Sequence, residues 1–215
     1  MTVAAQNRRI GLMNNEAAAL GFRAHSGWAV AVAVAGSPTR PVVLERRRIV
    51  TADPAIPGSK QPYHAAELLD LPKAEALIRR CRDSSNRLAE SSVSDIVAQL
   101  ARKGHRVAGA AILFASGRPL PDLAAILRSH PLLHTAEGEF FREAMVHASE
   151  HCSLPVTRIK EREIWDRAAA VFHLDPTDLQ QRIGQLGRSL GPPWRQDEKL
   201  ASLAAWIALA ESATL

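Results

Sequence analysis

Residues 17–35 read AAALGFRAHSGWAVAVAVA, two apolar runs separated only by Ala24-His25-Ser26-Gly27. Four residues suit a hairpin connection, whereas a parallel crossover needs a dozen or more. The two runs must therefore lie side by side and antiparallel, and no other feature narrows the choice of fold as far. A third run, residues 41–50 (PVVLERRRIV), follows the short turn Gly36-Ser37-Pro38-Thr39-Arg40 and extends the meander. Its arginines spoil a clean alternation, so one face of this strand is expected to be wet, which suits a sheet edge.

Residues 51–64 (TADPAIPGSKQPYH) are proline-rich and read as a loop. Helical spacing then takes over. Ala74, Leu77, Ile78 and Cys81 share one face, and Val93, Ile96, Val97 and Leu100 share another beyond a polar break at Asp83-Ser84-Ser85. Lys103-Gly104 closes this block with a basic last turn and a glycine. Residues 106–116 (RVAGAAILFAS) are a compact apolar run between turn signals, as in a central strand covered on both faces. A helix over 122–128 and a longer one over 131–150, opened by Pro131, precede a short strand over 154–161. Ile164, Ala168, Val171 and Phe172 mark the next helix. Leu179, Ile183, Leu186 and Leu190 mark another, stopped by Gly191-Pro192-Pro193. The last helix starts near Asp197 and keeps Leu200, Leu203, Ala204, Ile207 and Ala208 on one stripe.

The order β-β-β-α-β-α-β-α, with right-handed crossovers, predicts an α/β fold. Its five-stranded mixed sheet has three antiparallel strands, then two parallel to the first, with helices on both faces. At 215 residues and 47% hydrophobic content the chain can fill the core of one domain. That domain is read as residues 17–215, behind a loosely ordered segment 1–16.

This order of elements resembles the ribonuclease H-like fold of Holliday-junction resolvases, integrases and, in duplicated form, actin-like ATPases. The strand-turn GFRAHSGWAV and the closing helix DEKLASLAAWIAL resemble the corresponding parts of the resolvase branch. The resemblance implies a nuclease in which acidic side chains hold two divalent metals. It places the first aspartate of that set at Arg23, which cannot ligate a metal. It places the second acid at the end of the central strand, AILFAS (111–116), which has no carboxylate. In the last helix Asp197 and Glu198 remain, while the second helical acid falls near Leu200. The standard two-metal centre is thus not expected, and a divalent metal, if used, would need a rebuilt site.

Charge keeps nucleic acid in view as a partner. Lysine accounts for five of the 27 basic residues and arginine for the other 22, against 22 acidic residues, for a formal net charge of +5. Arginine offers a planar fork of donors suited to phosphate, and Arg46, Arg47, Arg48, Arg79, Arg80 and Arg82 are the candidate nucleic-acid contacts. Arginine with abundant alanine equally fits a GC-rich coding bias. The two cysteines, Cys81 and Cys152, are too few for a disulfide scaffold or a four-ligand zinc site. No apolar run is long enough for a membrane span and the first residues lack a secretory pattern, so a cytoplasmic location is expected. GxxxxGK[ST], GxGxxG and GxSxG are all absent from the sequence.

Four polar clusters remain. His25-Ser26 sits at the hairpin tip, Tyr63-His64 in the proline-rich loop, His130, His134, Glu137, Glu139 and Arg142 in SHPLLHTAEGEFFRE, and Asp197 and Lys199 in GPPWRQDEK. His134 and Glu137 share a helix face and could act as an oriented base or ligate a metal. They could equally be a hydrogen-bonded pair near a helix start. Tyr63 also fits plain packing, and Trp194 fits an anchor over the Gly-Pro-Pro elbow. Ligands in open α/β sheets bind where strands end and helices begin. On that ground His25, His134, Glu137 and Asp197 are expected as catalytic groups, and Ser26, His64, His130, Arg142 and Lys199 as substrate contacts, with His25, His64, His134, Glu137 and residues 194–199 forming one shared pocket. Three roles stay open: a nuclease or other phosphoryl-transfer hydrolase, a non-catalytic nucleic-acid-binding domain, and an adaptor or scaffold without nucleic acid. The sequence says nothing of oligomeric state.

Overall fold

The structure, a computed structural model, describes residues 15–115 and 119–212. Most of the segment expected to be loose, positions 1–14, lies outside the described residues, and β1 (Glu16–His25) opens at Glu16. β1 pairs antiparallel with β2 (Trp28–Ser37), and β2 with β3 (Arg40–Val50). The connection at the hairpin tip is tighter than expected. His25 pairs with Trp28, leaving only Ser26-Gly27 in the turn, with Gly27 at φ 82°.

After α1 (Pro62–Ala66) and α2 (Leu71–Arg102), β4 (His105–Phe114) joins β1 in parallel. α3 (Leu123–Leu127) and α4 (His130–His151) lead to β5 (Val156–Lys160), parallel to β4. α5 (Ile164–Phe172), α6 (Pro176–Leu186) and α7 (Gln196–Ser212) complete the chain. The sheet order is β3-β2-β1-β4-β5, the mixed sheet expected, with β3 on an edge.

Strand alternation divides the molecule into three layers. Ala19, Val30, Val32, Val34, Leu113 and Ile159 point to the α5–α7 side, where α7 is buried from Leu200 to Leu209. Leu20, Phe22, Ala29, Ala31, Ala33 and Ile112 point to α2 and α4. A third cluster gathers α1, α3 and the first halves of α2 and α4, with Tyr63 edge-on to Phe140 at 6.2 Å.

Two sequence features take a different form. α2 runs unbroken for 32 residues, because Ser84 and Ser85 are small enough to stay buried on its stripe between Cys81 and Ala89. In β3 the register against β2 shifts at Ala33/Val34, leaving Leu44 as an extra residue. Side-chain facing flips there. Val43 packs toward α7 while Ile49, also odd-numbered, packs toward α2. Arg46 and Arg48 consequently lie on the α7 side and Arg47 on the α2 side, so the strand has no single wet face.

Candidate functional site

The rim at the end of β1 is organised by a glycine. A Cβ at Gly21 would overlap the Ala201 carbonyl and sit 2.6 Å from the Ala205 amide, so α7 lies directly on the β1 backbone. Two strand residues span about 6.7 Å and one helical turn about 5.4 Å. The next outward pair beyond Gly21 and Ala201 is therefore Arg23 with Asp197, one helical turn earlier. The Arg23 guanidinium pairs with Asp197 Oδ1. It also grips Glu161, just past β5, through Nε–Oε2 at 3.0 Å and Nη2–Oε1 at 2.8 Å. This two-pronged bond to Glu161, reinforced by Asp197 and opposed by partial burial, raises the Arg23 pKa further.

A stack stands beside it. The His25 ring lies on Trp28 with centroids 4.2 Å apart and 15° between planes, and its Nε2 is 3.2 Å from Asp197 Oδ1. The Arg48 guanidinium covers Trp28 at 3.8 Å and is itself exposed. Trp28, Arg46, Arg48, Arg195 and Asp197 border an adjoining cavity of about 370 Å³. Arg46 is engaged internally, donating to the carbonyls of Gly191, Pro192 and Pro193 and so holding the elbow that carries Trp194. Trp194 donates to the Ile183 carbonyl at 2.8 Å and its ring lies against Gly187. Glu198 is buried and accepts the Arg195 amide at 2.8 Å. Lys199 is half-buried on the first turn of α7, and Ser26 is exposed at the hairpin tip.

His64, His130, His134 and Glu137 form a second group on the other side of the sheet. Glu137 is buried, with its Oε2 2.8 Å from His64 Nδ1. Burial pushes the Glu137 carboxyl above its ordinary range, and the His64 contacts pull it back. His130 and His134 meet through their Nε2 atoms at 3.0 Å. Arg142 folds over Gly138 to Glu139, 3.4 Å away. The shared pocket expected from the sequence is thus two groups: Arg23 and His25 of β1 meet Asp197 of α7, while His64 and Glu137 lie between α1 and α4. Arg47 binds Glu45 and Gln99, each at 2.7 Å. Arg79, Arg80 and Arg82 are exposed on α2, on the layer away from Arg48.

This arrangement of strands and helices is shared with two solved structures. A Thermus thermophilus RuvC structure is 13% identical at a TM-score of 0.52, the match covering 92% of this chain and 96% of that one. T. thermophilus RuvC in complex with a Holliday junction substrate is 12% identical at a TM-score of 0.50, covering 92% and 95%. The chain has a ribonuclease H-like fold. No family model and no curated protein matches the sequence.

The two-metal centre that a nuclease of this fold requires does not fit the rim. The resemblance of GFRAHSG places its first acid at Arg23, whose charge already engages Asp197 and Glu161. β4 ends at Phe114 and is followed by Ala115, with no carboxylate at either, and Ser116 lies outside the described residues. Leu200 is buried in the core. Glu161 was not singled out from the sequence, where it reads as the last residue of a strand. Its signal is positional: it lies two residues past Ile159, one residue beyond β5, at the carboxyl end where such folds place their sites.

Proposed function

We propose that this chain is a nucleic-acid-binding domain of ribonuclease H-like fold that does not cleave its ligand. One observation carries the reading: the Arg23 guanidinium is bound to Glu161 and Asp197 where a metal-dependent nuclease would need carboxylates free to ligate cations. The same rim suits binding. Arg48 presents an exposed planar cation backed by Trp28, a surface on which a base can stack or a phosphate can sit. Arg195 adds a second cation across the cavity. The junction held by the RuvC structure makes branched DNA the first ligand to test.

The test measures retention of a labelled four-way DNA junction against a duplex of equal length over a range of salt. The expected result is tighter binding of the junction, weakening as salt rises. Arg48→Ala and Arg195→Ala should each flatten the slope of log affinity against log salt by about 1. Unchanged slopes in both variants would remove the rim from the interface. The internal use of Arg46 and Arg47 favours a second reading, a protein-binding scaffold, and absence of any retention at low salt would point there.

A further inference from the structure

The histidine group between α1 and α4 stands apart from the Arg23 rim and does not rest on the nucleic-acid reading. His64 comes from α1, and His130 and His134 from successive turns of α4, where residues four apart share a face. One ring nitrogen from each lies within 4.8 Å of the others. The rings already crowd together, with centroids 4.8 Å apart for His64–His134 and 4.5 Å for His130–His134. The 3.0 Å between the His130 and His134 Nε2 atoms is close to what one cation demands. Two nitrogens each about 2.0–2.1 Å from a tetrahedral ion lie about 3.3 Å apart.

Glu137 is a second, independent observation. Its side chain is 4% exposed, and Oε2 accepts from the His64 amide at 3.3 Å as well as contacting Nδ1 at 2.8 Å. Its Oε1 is buried with no hydrogen-bond partner among the described residues. A carboxylate on Nδ1 holds the proton there and leaves the Nε2 lone pair free to coordinate. Metal-ligating histidines are oriented by carboxylates in this way.

We infer that His64, His130 and His134 form a three-histidine site for a zinc-class divalent cation, with Glu137 positioning His64. Three imidazoles without a ligating oxygen select zinc, cobalt, nickel or copper over magnesium and calcium. His130 and His134 are exposed, so a fourth coordination position faces solvent and can take water or a small ligand. The ion would also clip α1, only five residues long, to α4.

The test uses the purified full-length chain titrated with zinc or cobalt alone. One equivalent of zinc should bind and raise the melting temperature, and cobalt should give the strong visible absorption of a four-coordinate site. His130→Ala/His134→Ala, replacing two exposed helix residues, should keep the circular dichroism spectrum and lose the equivalent, the band and the thermal shift. Glu137→Gln should retain the band and weaken affinity about 10–100-fold. His147→Ala/His151→Ala removes the other exposed pair spaced four apart on α4 and should change nothing. Zinc binding that survives His130→Ala/His134→Ala, or that disappears with His147→Ala/His151→Ala, would overturn the site, as would no binding at micromolar zinc.

Discussion

Arg23 is the residue on which the rim turns. Its side chain is one-fifth exposed, beside partners that are 36% and 26% exposed, so its ion pairs lie between the weak surface kind and the costly buried kind. Arg23→Ala leaves Glu161 and Asp197 facing each other unneutralised and should cost about 1–2 kcal/mol in denaturant melts. Arg23→Asp turns the same place into three carboxylates. That variant should be destabilised without divalent ions and should regain melting temperature with millimolar magnesium, which three imidazoles do not favour, while the wild type stays flat. A wild-type melting temperature that rises with magnesium as steeply as the variant's would mean the guanidinium does not occupy the cation position. Arg23 stands out in the sequence because the resemblance of GFRAHSG to the resolvase branch puts an acid where this chain has a cation. Glu161 did not, because its partnership with Arg23 spans 138 positions and no local pattern encodes it.

Among the elements, the contact of α7 with β1 sets the geometry of the rim. Gly21→Ala would push a methyl into the α7 backbone and should lower stability by about 1–3 kcal/mol or more, read by denaturant unfolding. Shifting α7 also moves Asp197, so the variant should weaken junction binding at salt concentrations where it remains folded. A variant as stable as wild type would show that the helix is free to adjust. The longer helices and the strands were legible because apolar spacing reports them directly, but α1 was not: Pro62, Tyr63 and His64 read as the end of a proline-rich loop, and five residues are too few to show a helical period. Two other local readings failed for physical reasons. Ser84 and Ser85 read as a break because polarity in sequence signals exposure, although a serine in a tight helix–helix contact can be buried. The disturbed alternation in β3 was visible, but its cause, the extra residue at Leu44, depends on register against β2.

At the scale of the whole molecule, connection lengths make the sheet legible. A short hairpin forces antiparallel pairing, and long helical crossovers force parallel pairing. The fate of the polar groups was not legible in the same way. His25 is the last residue of β1 and His134 lies in the early turns of α4, but which side of the sheet each serves depends on strand parity and helix layer. Hence the one expected pocket is two groups, one closed by Arg23 and one built of histidines. Among the described residues no helix is long and apolar enough to cross a membrane.

Binding without cleavage is tested most directly by incubating the wild-type chain with a strand-labelled four-way junction in magnesium or manganese, then resolving the products on native and denaturing gels. The expected result is a salt-sensitive retarded complex whose strands remain intact. Strand cleavage that is abolished by Glu161→Gln or Asp197→Asn would contradict it.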